Sequence, residues 1–193
     1  MNNINEHTEI FTIDGFLSEE ECDQLIAKAE DMGFEEAKVN IDGKQEMMKM
    51  IRDNERVIYT DADYAGELWN RLKSYIKPVI GNSESLGLNE LFRFYKYSPG
   101  QRFKMHRDGS FIRNETEFSY YTFMVYLNQD YEGGQTKFKS GEVISPKKGM
   151  ALIFEHSQRH EGDRLISGIK YVLRTDIMYK MKDHIDAQVS QAL

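Results

Sequence analysis

Residues 91–109 read LFRFYKYSPGQRFKMHRDG. In LFRFYKY, apolar and aromatic residues alternate with charged ones, the period-two pattern of a half-buried strand. SPGQ (98–101) is turn chemistry. RFKMHRD then resumes the strand pattern. Residues i and i+2 of a strand share a face, so His106 and Asp108 point the same way and can grip one ion. Gly109 allows the chain to turn directly afterwards. Alone, an H-x-D is an ordinary polar strand end, and its meaning depends on the rest of the chain.

Downstream the texture continues. EFSYYTFMVYLN (117–128), TKFKS (136–140), GEVISP (141–146), GMALIFEH (149–156) and IKYVLRTDIMYK (169–180) are short β-like runs. They are separated by QDYEGGQ, SPKKG and HEGDRLISG, all turn-like, with Gly133-Gly134 expected to make a hairpin turn at positive φ. Upstream, EIFTIDGF (9–16) reads as a short strand. LSEEECDQLIAKAEDMGF (17–34) reads as a helix, with Ser18 as N-cap, Glu21 completing a capping box and Gly33 near the stop. Cys22, Leu25, Ile26 and Ala29 share its apolar face, so Cys22 reads as a small core residue. ADYAGELWNRLKSYIK (62–77) reads as a second helix with a Leu68, Leu72, Ile76 stripe, and Pro78 lies beyond its end. IRDNER (51–56) reads as a polar turn between the helices. Helices first and strands afterwards predict a mostly β chain with packed N-terminal helices and a sandwich or barrel core.

Composition sets the outer bounds. The chain has 193 residues, enough for one real core. A net charge of −7 argues against nucleic acid or an anionic membrane as the main partner. Cys22 is the only cysteine, so no intrachain disulfide framework and no CxxC zinc site is expected. MNNINEHTEIF lacks the features of a signal peptide, and no apolar run is long enough to span a bilayer. A cytoplasmic setting is the expectation.

The H-x-D needs a third ligand. The chain has 5 histidines. His7 and His184 lie in terminal segments. His156 and His160 sit in EHSQRHEGD, just after the apolar run MALIF. Either imidazole, added to His106 and Asp108, gives the two-histidine, one-carboxylate set of non-haem Fe(II) oxygenases, which leaves coordination positions open. In IKYVLRTD, alternation puts Lys170, Val172, Arg174 and Asp176 on one face. Cations on a late inner strand make sense when that face lines a pocket for an anion, because a buried unpaired charge is costly.

These pieces, RFYKYSPGQRFKMHRDG, YTFMVYLNQDYEGGQTKF, PKKGMALIFEHSQRHEG and GIKYVLRTDIMY, resemble the prolyl 4-hydroxylase-like branch of the Fe(II)/2-oxoglutarate-dependent dioxygenases. FTIDGFLSEEECDQLI resembles that family's lead-in strand and helix. The resemblance implies a double-stranded β-helix, a jelly-roll (cupin-like) barrel with a metal at its mouth. It implies one domain over 1–193: an N-terminal strand and supporting helices (1–87), a jelly-roll core (88–181) and a tail (182–193). It favours His160 as the distal ligand, because Glu-Gly follows it and Lys170 stands ten residues on. His156 is then expected at a strand end or behind the ligands.

Further roles follow by resemblance. Lys170 matches the position that holds the distal carboxylate of 2-oxoglutarate. Tyr97 and Thr122 match positions that can reach the same co-substrate, Thr122 being expected to share a face with Tyr120 and Met124. Arg174 is a second candidate anchor, or a partner of Asp176 or substrate. Where prolyl hydroxylases often carry an aromatic, this chain has Asp176, which departs from their substrate pocket. The implied cofactors are Fe(II), 2-oxoglutarate and O₂, with ascorbate as a reductant. The expected activity is hydroxylation of a protein or peptide side chain, prolyl first. A free amino acid or small molecule is the alternative substrate, and a non-catalytic jelly-roll binding protein the alternative of another class. GSFIRNETEFS (109–119) is expected to be the loop that covers the site or meets substrate.

Overall fold

The structure, a computed structural model, describes residues 10–36, 39–41, 44–46 and 53–182. The expectations for His7, His184, residues 51–52 and the tail beyond 182 lie outside the described residues. In chain order the elements are β1 (Ile10–Ile13), α1 (Glu19–Met32), β2 (Glu35–Glu36), β3 (Val39–Ile41), β4 (Lys44–Glu46), β5 (Glu55–Thr60) and α2 (Ala62–Leu72). There follow β6 (Val79–Ile80), β7 (Ser83–Leu88), β8 (Leu91–Tyr97), β9 (Phe103–His106), β10 (Glu117–Tyr126), β11 (Glu132–Gly133) and β12 (Thr136–Phe138). The last are β13 (Val143–Ile144), β14 (Ala151–Glu155), β15 (His160–Gly162), β16 (Leu165–Ser167) and β17 (Lys170–Met181).

Ser18 and Glu21 form the capping box that starts α1, and Gly33 ends it at φ 81°. Cys22, Leu25 and Ala29 are buried, and Ile26 is half-buried. Asp61 caps α2 by accepting from the Tyr64 N–H at 2.9 Å. The second helix stops earlier than expected: α2 ends at Leu72 and tightens into a 3₁₀ turn, Lys73–Tyr75. Ile76 is already extended, two residues ahead of Pro78. Leu68, Leu72 and Ile76 are nevertheless all buried.

A large antiparallel sheet runs β1-β14-β10-β17-β8-β5-β2. The long β17 pairs with β8 along its first half and with β7 along its second. A smaller sheet, β13-β12-β15-β9, carries His106 and His160. Strand alternation gives the large sheet two buried faces. Phe92, Phe94, Phe123, Val125, Ile153 and Leu173 pack against α1 and α2 in one core. Tyr95, Tyr97, Tyr126, Leu152, Phe154 and Val172 form a second core with Phe138 of the smaller sheet. The helices are thus outside and the functional face inside, as a jelly roll with packed helices requires. Among the described residues, no helix is long and apolar enough to cross a membrane.

Three departures from the sequence reading bear on the site. The stretch read as a polar turn at 51–56 runs into β5, which pairs along β8. HEGDRLISG, read as a turn, contains β15 and β16. In β10 the register shifts between Ser119 and Tyr121. Tyr120 therefore does not share a face with Thr122: its ring meets Tyr121 and Tyr179, with centroids 5.0 and 5.9 Å away. Ser119 turns inward instead, a bulge that re-aims side chains beside a site.

Candidate metal centre

His106 ends β9 and His160 begins β15, and the two are register partners in the smaller sheet. Asp108 follows His106 by two residues. One ligand atom from each of these three lies within 4.8 Å of the others, a spacing that suits a single ion. Asp108 Oδ1 is 3.6 Å from His106 Nε2, and Oδ2 is 3.7 Å from His160 Nε2.

The ring orientations are fixed from behind. His106 Nδ1 lies 2.7 Å from the Lys104 carbonyl oxygen, and His160 Nδ1 lies 3.0 Å from that of Gln158. A carbonyl only accepts, so each Nδ1 carries the proton and each Nε2 turns its lone pair to the centre. Phe103 stacks on His106 at 3.5 Å, and Phe154 meets His160 edge-on at 4.5 Å. Burial pushes His160 down to about 4, outweighing the attraction of Asp108, so the ring is a neutral ligand at pH 7. Burial alone would raise the Asp108 carboxyl, but Arg174 and the two histidines hold it well below the ordinary range. Two imidazole nitrogens and an ionised carboxylate are the donors that Fe(II) takes.

The remaining expected residues line the same pocket: Tyr97, Thr122, Lys170 and Arg174 surround it with the triad. Lys170 is 4% exposed and lies opposite Tyr97 in register. Its ammonium donates to the Gly134 carbonyl at 2.5 Å and sits 5.4 and 5.2 Å from the rings of Tyr97 and Tyr126. Among the described residues, it has no carboxylate within ion-pair distance. Burial pushes its ammonium down to about 7. A buried cation without an anion suits a site that receives one.

Arg174 differs. Its Nη2 is 3.2 Å from Asp108 Oδ2 and 3.1 Å from Asp176 Oδ1, so two carboxylates already face it. Arg93 joins from β8 at 3.2 Å from Asp176 Oδ2. Thr122 gives its hydroxyl proton to Asp108 Oδ2 at 2.6 Å. His156 does not join the triad. It is buried behind Thr122, and burial lowers its pKa further, keeping the ring neutral. The sequence reading missed the inward Ser119 and the Gly134 carbonyl, since a bulge and a backbone acceptor leave no side-chain signature.

Residues 92–175 match the model of the 2OG-Fe(II) oxygenase superfamily. Over this segment the chain is a 2OG-Fe(II) oxygenase. The Fe(II) triad is His106, Asp108 and His160, with 2-oxoglutarate as co-substrate. No curated protein sequence matches the oxygenase. Solved structures do. A viral collagen prolyl hydroxylase of Paramecium Bursaria Chlorella virus-1, in its 2OG complex, has a TM-score of 0.65 at 22% identity, covering 92% of this chain and 99% of its own. A Pseudomonas putida prolyl-4-hydroxylase has a TM-score of 0.64 at 15% identity, covering 92% and 95%. A Trichoplax adhaerens prolyl hydroxylase, solved with a hypoxia inducible factor peptide fragment, has a TM-score of 0.71 at 17% identity, covering 91% and 84%. At these identities the likeness is one of fold, a jelly roll with packed helices.

Proposed function

We propose that the oxygenase hydroxylates a side chain of a protein or peptide, prolyl first, with Lys170 anchoring 2-oxoglutarate. The observation that carries the co-substrate assignment is the buried Lys170 ammonium, with no carboxylate partner among the described residues, in the pocket of the triad. His106 and His160 present Nε2 to Fe(II), and Asp108 presents a carboxylate oxygen. Fe(II) with 2-oxoglutarate and O₂ supplies the oxidative decarboxylation to succinate and CO₂ and the transfer of one oxygen atom to a C–H bond. The chain's own groups do the positioning. Lys170 receives the distal carboxylate at the buried end of the pocket. Tyr97 and Tyr126 wall that end, and low water content strengthens the charge pair there. Thr122 and Arg174 act on the Asp108 side of the pocket. Arg174 is less suited to anchor the co-substrate, because Asp108 and Asp176 already neutralise it.

A peptide substrate is supported by the fold of the hydroxylases named above, one of which is solved with a peptide. One observation favours a second reading, a free amino acid or other charged small molecule. The row Arg93, Asp176 and Arg174 on the inner face is ionic where prolyl hydroxylases often have an aromatic. A succinate-release screen over proline-containing peptides, free amino acids and host proteome separates the two. Anaerobic Fe(II) plus 2-oxoglutarate should give a weak visible charge-transfer band that disappears in His106→Ala. Neither a band nor succinate under any condition would sink the proposal.

A further inference from the structure

Behind Asp108 runs a chain of hydrogen bonds whose direction is set by the carboxylate at its head. The ionised Asp108 carboxylate only accepts, so Thr122 Oγ1 donates to Oδ2 at 2.6 Å. That uses the hydroxyl's single proton. Thr122 Oγ1 must then accept from His156 Nδ1–H, 3.1 Å away. His156 Nε2, unprotonated in that tautomer, accepts from the Ser119 hydroxyl at 2.8 Å. Ser119 Oγ in turn accepts from the Phe111 backbone N–H at 2.8 Å, and a backbone N–H only donates. The Asp108 end sets the polarity, and the Ser119 end is compatible with it, so His156 carries its proton on Nδ1.

Three features make this more than a satisfied core histidine. The β10 bulge turns Ser119 to the inner side, where it meets the same imidazole as Thr122. Arg174, the other group on Asp108 Oδ2, is divided between Asp108 and Asp176 and cannot alone fix the carboxylate. The chain also closes on itself, because Phe111 lies three residues after Asp108 on the same loop. Ser119 N–H returns a bond to the Phe111 carbonyl at 2.9 Å.

We infer that His156 is a positioning residue for the metal ligand Asp108: through Thr122 it holds Oδ2 as a hydrogen-bond acceptor and leaves Oδ1 to the metal. It also ties the loop after the ligands to the centre. The inference rests on the triad being a metal site, and its test needs no turnover. Outer groups of this kind typically change metal affinity by roughly 10- to 100-fold.

Co(II) is the probe, titrated by calorimetry and followed by its visible ligand-field spectrum, with His106→Ala as the control without a site. His156→Leu and Thr122→Val should each weaken Co(II) binding by roughly 10- to 100-fold and alter the spectrum. The double variant should be little worse than either single one, because both cut one chain. His156→Asn restores an N–H near the Nδ1 position and should recover most of the affinity. A folded His156→Leu with wild-type affinity and spectrum overturns the inference, as do multiplying losses in the double variant. If His156→Leu does not fold, Asn against Thr122→Val decides: equal losses in both overturn it. Wild-type chain that takes no Co(II) would overturn the metal site itself, a separate and visible failure.

Discussion

Lys170 and Arg174 share a strand face, yet their surroundings assign them opposite work. Arg174 is bracketed by two carboxylates, which together raise its pKa against the opposing effect of burial. Among the described residues Lys170 meets only a carbonyl and two ring faces, and burial lowers its pKa from 10.5 to about 7. Between those values the unfolded chain binds more protons at this position, so the ligand-free fold gains stability as pH rises through that window. A carboxylate arriving at Lys170 restores its proton. At pH 8 to 9, 2-oxoglutarate binding in the presence of Mn(II) should therefore take up as much as one proton, measured by calorimetry in buffers of different ionisation enthalpy. Lys170→Met should abolish the uptake and raise the 2-oxoglutarate requirement about 30-fold or more, the cost of losing one partner of a buried charge pair. Metal affinity should be unchanged. An unaltered requirement would move the anchor to Arg174. Both cations were legible from alternation in IKYVLRTD. Their division of labour was not, because it depends on Asp108 and Gly134, which only the fold brings near.

At the level of single elements, short strands matter more than their length suggests. β15 has three residues, too few for a periodic signal, yet it places His160 beside His106. The bulge in β10 was equally illegible, since an aromatic run such as EFSYYTF keeps its texture whether or not one residue is looped out. The capping box of α1 and the alternation of β8 and β17 were legible because the physics is local. Turns sort by what surrounds them. Gly149, at φ 78°, precedes β14, and a Cβ there would lie 2.1 Å from the Leu17 carbonyl oxygen. Gly149→Ala should cost at least about 2 kcal/mol, read as a lower denaturant midpoint at unchanged slope. Gly109, expected to ease the turn after the ligands, has open space around it and no positive φ. Gly109→Ala should stay within about 0.5 kcal/mol of wild type.

Across the whole molecule, the large sheet separates a helix-side core from a barrel-side core, and only the second touches the pocket. The order of helices and strands made that layering legible; the strands of 53–88 were hidden by polar or turn-like neighbours. Leu68 is fully buried on the helix side. Leu68→Ala should remove about 2–5 kcal/mol of stability while the folded fraction keeps wild-type Co(II) affinity. Loss of metal affinity in that folded fraction would show that the two cores are not independent. The barrel side carries another consequence. Among the described residues no carboxylate answers the buried Lys170, so on the proposed assignment a small metabolite completes the interior. Unfolding competes with occupancy, and each tenfold excess of free 2-oxoglutarate over its dissociation constant adds about 1.4 kcal/mol to the folded state. With Lys170 as the anchor, the survival of this protein against heat and proteolysis becomes a gauge of its own co-substrate supply. A starved cell would hold a softer, shorter-lived enzyme before it held a slower one.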